Sequence, residues 1–233
     1  MTKKILIALV LLSGCASKKH IARTQADGEA LRTDLAATYV DKGAYDAAIP
    51  LLRRALLEKP KSAHVRVLYG KVLREKGLYP QAERELLIAK TLAPLSAKPL
   101  AELGILYALE HRPEEAVVAL RKAVDLAPRH APYWNNLGFT LFVGGRIDES
   151  IIAYEKALAL DPAMIVAYNN IGFAYGKKGD LTAAERSFRS AGGEIAALLN
   201  MAIIYEERGD KARAANLRAS AKQIDPSLTE EVQ

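Results

Sequence analysis

One cysteine, one tryptophan and four phenylalanines stand among 233 residues. A single thiol excludes an internal disulfide. Histidine is scarce too: His20, His64, His111 and His130 are the four, none pairs at i, i+4, and none falls in a metal-binding spacing. No metal or cofactor is expected. There is no GxxxxGK[ST] phosphate loop and no GxSxG nucleophile elbow. The carboxylate pairs Glu114-Glu115 and Glu206-Glu207 are adjacent along helical stretches, so their side chains point in different directions and read as solvated faces. An enzyme is not expected. Long apolar runs are missing. The longest, Ile5 to Leu12, falls far short of the ~20 residues a membrane-spanning helix needs. Charge of one sign is missing as well: 33 basic and 27 acidic side chains give a net of +6, with the signs interspersed as on a solvated helical surface. With no zinc spacing and no basic stripe interleaved with aromatics, no nucleic acid is expected as a partner.

What is present begins at the N-terminus. Lys3 and Lys4 precede the run Ile5 to Leu12, and small residues follow, which is the layout of a secretory signal. The run ends Leu12-Ser13-Gly14-Cys15. That ending resembles the lipobox of bacterial lipoproteins. The resemblance implies a signal peptide over 1–14, a diacylglyceryl group on the Cys15 thiol, cleavage before Cys15 and a third acyl chain on the new amine. Each buried CH₂ contributes roughly 0.8 kcal/mol, so several chains anchor stably where one does not. Cleavage removes Lys3 and Lys4 and leaves a net of +4. Alanine rather than aspartate at position 16 points, by the rule of those lipoproteins, to the outer membrane, with the rest of the chain facing the periplasm. Residues 15–28 form the tether. Its Lys18, Lys19, His20 and Arg23 fit either contact with anionic headgroups or plain solvation.

Beyond the tether the chain repeats itself. Pro60, Pro94, Pro128 and Pro162 recur every 34 residues, as do the small residues Ala36, Gly70, Gly104 and Gly138 and the alanines Ala55, Ala89, Ala123 and Ala157. A fixed period of this length marks a solenoid. Alanine and leucine abound and β-branched runs are few, which favours helices. The stretch with Trp134, Leu137, Gly138, Gly145, Tyr154, Ala157 and Pro162 resembles the tetratricopeptide repeat most closely. The resemblance covers about 200 residues and implies an all-α, right-handed solenoid of six helix-turn-helix units over 29–62, 63–96, 97–130, 131–164, 165–194 and 195–228, with a tail at 229–233. Small residues at the eighth, twentieth and twenty-seventh positions let paired helices approach. Glycine at the fifteenth (Gly43, Gly77, Gly145, Gly179, Gly209) suits the left-handed residue that ends a helix. Proline at the thirty-second ends the second helix, because it pushes its predecessor out of helical angles.

Three departures are expected to matter. The third unit has His111 where glycine is expected, with Pro113 in the next first turn, where proline is tolerated. Pro50 lies deeper in its helix and is expected to kink it. The fifth unit lacks its closing proline and reads "SFRSAGGEIAALLN". Gly192-Gly193 predicts a tight turn, a shortened hairpin and a change of pitch.

Repeat proteins of this kind offer extended concave surfaces to partners. A lipoprotein signal followed by six such repeats resembles the outer-membrane pilotins of type IV pili. The shortened fifth unit makes the chain similar to the lipoprotein of the tight-adherence (Flp) pilus assembly system. Those families imply a scaffold in pilus or secretin biogenesis, with a secretin or another pilus assembly component as partner. The alternative is an adaptor for peptidoglycan-remodelling enzymes, which other lipidated repeat proteins serve. The oligomeric state is left open. In the repeat family, positions two, five, six, nine, twelve and thirteen of each first helix face the groove. Carried over, they give Asn136, Asn170 and Asn200 at position six, Asn135 and Asn169 at position five, Phe139 and Phe173 with Ile105 and Ile203 at position nine, and Phe142 with Ala108 at position twelve. Phe188 falls on a core position. Side-chain amides donate and accept hydrogen bonds, so the asparagines are expected either to pair with a bound peptide's backbone or to serve the repeat itself. The phenylalanines are expected to take apolar side chains or to pack on the next repeat.

Overall fold

The computed structural model describes residue 28 and residues 30–228. Cys15, the signal sequence, nearly all of the tether and the tail lie outside them. The described residues are all-α, with no strand among them. They divide into two compact units, one ending at Pro94 and the other starting at Leu95.

In the first unit, α1 (residues 30–41) pairs with α2 (Tyr45–Glu58), and α3 (Ala63–Glu75) pairs with α4 (Tyr79–Leu92). Their core joins Ala36, Val40, Ala48, Leu52 and Val72, all buried. α2 runs through Pro50 as one continuous helical span.

The second unit holds α5 (Ala97–Leu109), α6 (Pro113–Leu126), α7 (Ala131–Val143), α8 (Ile147–Leu160), α9 (Ile165–Lys178), α10 (Leu181–Glu207) and α11 (Lys211–Ile224). Each helix packs on the next in the chain. α10 is two helical limbs meeting at Gly192 (φ −156°, ψ 25°) and Gly193 (φ 72°, ψ −158°). The second pair of angles is open essentially to glycine alone, so the sequence places this turn by its glycines. α11 closes the unit. Only Ala214 and Ala221 of its residues are buried, which suits a terminal helix with a polar outer face.

Three local devices set the period. α2, α4, α6 and α8 each stop two residues before a repeat proline, with non-helical backbone at Lys59, Ala93, Ala127 and Asp161. Gly43, Gly77, Gly145, Gly179 and Gly209 adopt positive φ after the first helix of their hairpins. Helix-pair spacing comes from the small residues: Ala48, Ala82, Ala116 and Ala184 are fully buried, and so are Ala89, Ala123 and Ala157. A fourth device was not read from sequence. Trp134 Nε1 donates to the carbonyl of Pro128 at 2.9 Å, and Arg66 Nε donates to that of Pro60 at 3.0 Å. In both cases the fourth residue of one hairpin ties down the proline that ended the last.

Candidate peptide-binding groove

Four of the residues singled out by sequence converge within the second unit. Phe139 and Phe142 from α7 and Asn170 and Phe173 from α9 line one cavity of about 760 Å³. Val143, Ile147 and Ile204 extend its apolar wall. Tyr154, Lys177, Glu207 and Arg208 supply polar groups. The helical repeat explains the convergence. Residues three and four apart share a helix face, so Phe139, Phe142 and Val143 present one edge of α7, while Asn170, Phe173 and Lys177 present the matching edge of α9.

The phenylalanines differ in how they are held. Phe139 is 48 % exposed, a large apolar side chain open to solvent. Phe142 is half-buried against the cluster of Ile151, Tyr154 and Ile171. Phe173 is half-buried and meets Phe188 edge to face, ring centroids 4.9 Å apart at 67°. Phe188 is fully buried, in keeping with its core position. Phe173 therefore both lines the cavity and packs on its own hairpin.

The asparagines are partly engaged with one another. Asn170 Nδ2 donates to Asn135 Oδ1 at 3.0 Å, and Asn200 Nδ2 donates to Asn169 Oδ1 at 3.2 Å. The rule is regular: a position-six amide donates to the position-five amide one hairpin earlier. Asn135 is buried; Asn136, Asn169, Asn170 and Asn200 are half-buried. Asn135, Asn136, Asn169 and Asn200 do not line the cavity. Asn136 stands outside the ladder, because the residue at position five of the preceding hairpin is Ala101, which has no amide to receive it.

Sequence reasoning missed Lys177, Glu207 and Arg208. A usable signal existed, since Val143, Lys177 and Glu207 all fall on position thirteen, one of the groove positions. It also missed the Tyr154 hydroxyl. Tyr154 is wholly buried, its Oη has no hydrogen-bond partner, and burial alone pushes its pKa well above the ordinary phenol value. Among the described residues no group of His, Cys, Asp or Glu side chains is arranged to hold a metal ion. No described helix is long and apolar enough to cross a membrane.

Comparison with known proteins places the fold. Residues 26–97 match a family model described as tetratricopeptide repeat, and residues 140–179 match one described as TPR repeat. The chain is similar to the solved structure of PilW, with 21 % identity over 88 % of this chain and 96 % of that one and a TM-score of 0.75. It is similar to PilF of Pseudomonas aeruginosa, with 21 % identity over 86 % and 93 % and a TM-score of 0.69. It is similar to YrrB, with 18 % identity over 76 % and 93 % and a TM-score of 0.60. No curated protein matches the chain. The two matched stretches, together with hairpins of the same register beyond them, give the chain the fold of an all-α tetratricopeptide-repeat solenoid.

Proposed function

We propose that the chain is a lipid-anchored scaffold of the cell envelope that holds a protein segment in the groove of α7, α9 and α10 during pilus or secretin assembly. It works by binding, not by catalysis. The observation that carries this reading is the convergence of Phe139, Phe142, Asn170 and Phe173 on one cavity. An exposed aromatic beside apolar walls is the composition of a binding surface. Two similar folds support the reading by what they are described as: PilW is a type IV pilus biogenesis factor, and YrrB is a protein with an unusual peptide-binding site. The anchor rests on Leu12-Ser13-Gly14-Cys15 and the charged, apolar run before it. Ala16 supports the outer membrane, with the repeats facing the periplasm.

The test is affinity isolation from detergent-solubilised envelope, with partners identified by mass spectrometry. A secretin or pilus assembly component is expected with the wild-type chain. Its recovery should fall with Phe139→Ala combined with Phe173→Ala, provided circular dichroism shows that the variant is folded. Undiminished recovery places the binding surface elsewhere. Recovery of murein hydrolases or synthases instead moves the scaffold to peptidoglycan remodelling. For the anchor, Cys15→Ser should leave the chain unlipidated and out of the outer-membrane fraction.

A further inference from the structure

The polar groups of the cavity are unbalanced. Lys177 and Arg208 carry only donors, the Tyr154 hydroxyl donates one proton, and the Asn170 amide has two N–H groups, of which Asn135 takes one. Glu207 is the one acceptor-only side chain in the lining. Among the described residues neither Lys177 nor Arg208 forms an ion pair. Tyr154 adds a second observation. At the equivalent place in three other hairpins stand Leu52, Leu86 and Leu120, which fill the corresponding core position of their own hairpins without a hydroxyl. A buried hydroxyl with no partner destabilises a fold unless something bonds to it, and this one belongs to a residue that lines the cavity.

From this donor excess we infer that the groove takes an extended protein segment in which an acidic residue stands beside a large apolar one. The inference rests on the groove reading above and names the chemistry of the occupant. The apolar side chain packs on Phe139 and Phe142. The carboxylate lies between Lys177 and Arg208. A carbonyl or carboxylate oxygen of the segment accepts from Tyr154 Oη once the side chains covering it move aside, since the hydroxyl is closed to solvent. The volume suits this, since a pocket of this size encloses a drug-sized group, comparable to a few side chains. Glu207 at the rim disfavours a segment that is acidic throughout, so the acidic residue must be local to the anchor.

The experiment is selection of short random linear peptides from a displayed library on the immobilised, unlipidated chain, with affinities then measured by fluorescence anisotropy. Enriched peptides should pair Asp or Glu with a nearby large apolar residue. Their affinity should fall about tenfold in Tyr154→Phe, the loss of one hydrogen bond to a charged acceptor. It should fall further in Lys177→Glu combined with Arg208→Glu, and it should weaken as salt rises. Tyr154→Phe separates ligand contact from fold maintenance, because deleting an unpartnered hydroxyl should leave the melting temperature equal or higher. Enriched peptides without acidic residues, or unchanged affinity in the charge-reversed variant, overturn the inference. If Phe139→Ala still abolishes that binding, the groove reading survives. If Phe139→Ala binds every enriched peptide normally, the groove reading itself fails. No enrichment over the Phe139→Ala variant overturns the inference. Self-association in light scattering that Arg208→Glu removes also overturns it, by assigning the surface to a second copy of the chain.

Discussion

A side chain on residue 138 would overlap the ring of Tyr154: a Cβ there would stand 2.7 Å from both Cδ1 and Cε1. The ring cannot retreat, because Tyr154 is fully buried among Ile151, Ile171 and Ala174. Gly70 meets Leu86, Gly104 meets Leu120 and Gly172 meets Phe188 in the same way. Helix glycine normally lowers stability by about 1 kcal/mol relative to alanine. Here it is retained because the facing side chain occupies the space of its Cβ. Gly138→Leu is expected to lower the melting temperature, with overpacking of about 1–3 kcal/mol only partly offset by better helix propensity. An unchanged melting curve would place residue 138 outside the packed seam.

His111 holds the fifteenth position of its hairpin with φ 57°, where Gly43, Gly77, Gly145 and Gly209 adopt φ between 70° and 84°. A left-handed residue with a Cβ carries a penalty of about 1–2 kcal/mol. Glycine removes that penalty but adds about 0.4–1 kcal/mol of unfolded-chain entropy. His111→Gly is therefore expected to stabilise the chain by up to about 1.5 kcal/mol in urea unfolding, while His111→Val should destabilise it. Stabilisation by valine would mean that the left-handed geometry is not adopted in solution.

Much of this architecture was legible because short-range rules fix it. Proline at the thirty-second position, glycine at the fifteenth and small residues at the eighth each act within a turn or a single helix contact, and all four repeat prolines sit just past a helix end. The Gly192-Gly193 turn was legible for the same reason. The groove was legible only in part. Position rules brought Phe139, Phe142, Asn170 and Phe173 to one cavity. They did not say that asparagines in successive hairpins would bond to each other, because that depends on how two helices distant in sequence are set side by side. The unpartnered Tyr154 hydroxyl was invisible too, since an aromatic at that position reads as core whether or not its tip finds a partner.

Gly193 gives a sharper backbone test than any repeat glycine. Its φ of 72° with ψ of −158° is a conformation that side chains with a Cβ scarcely enter. A Cβ on Gly192 would also stand 2.8 Å from the Ala196 Cβ. Gly193→Ala is expected to lower stability by about 1–3 kcal/mol, with loss of hydrogen-exchange protection concentrated around the two limbs of α10. Protection that falls equally in every helix of the unit, or in none, would contradict a strained local turn.

The asparagine pairs separate a bond that maintains the repeat stack from one left to solvent. Asn135 is 8 % exposed and accepts from Asn170, whereas Asn169 and Asn200 are both half-buried. Removing a partner from a buried group leaves it unsatisfied at about 1–3 kcal/mol, while water substitutes at a half-buried one. Asn170→Ala should therefore destabilise the chain more than Asn200→Ala does. Truncating the partner as well should relieve part of the first penalty, because the orphaned group then disappears. In a double-mutant cycle by urea unfolding, Asn135→Ala with Asn170→Ala is expected to show a coupling of about 0.5–1.5 kcal/mol. Asn169→Ala with Asn200→Ala should show less. Additivity within about 0.5 kcal/mol for the first pair would mean that the amide bond does not persist in solution. The Asn170 amide would then be wholly available to a bound segment, and Asn170→Ala would weaken peptide binding instead of lowering stability.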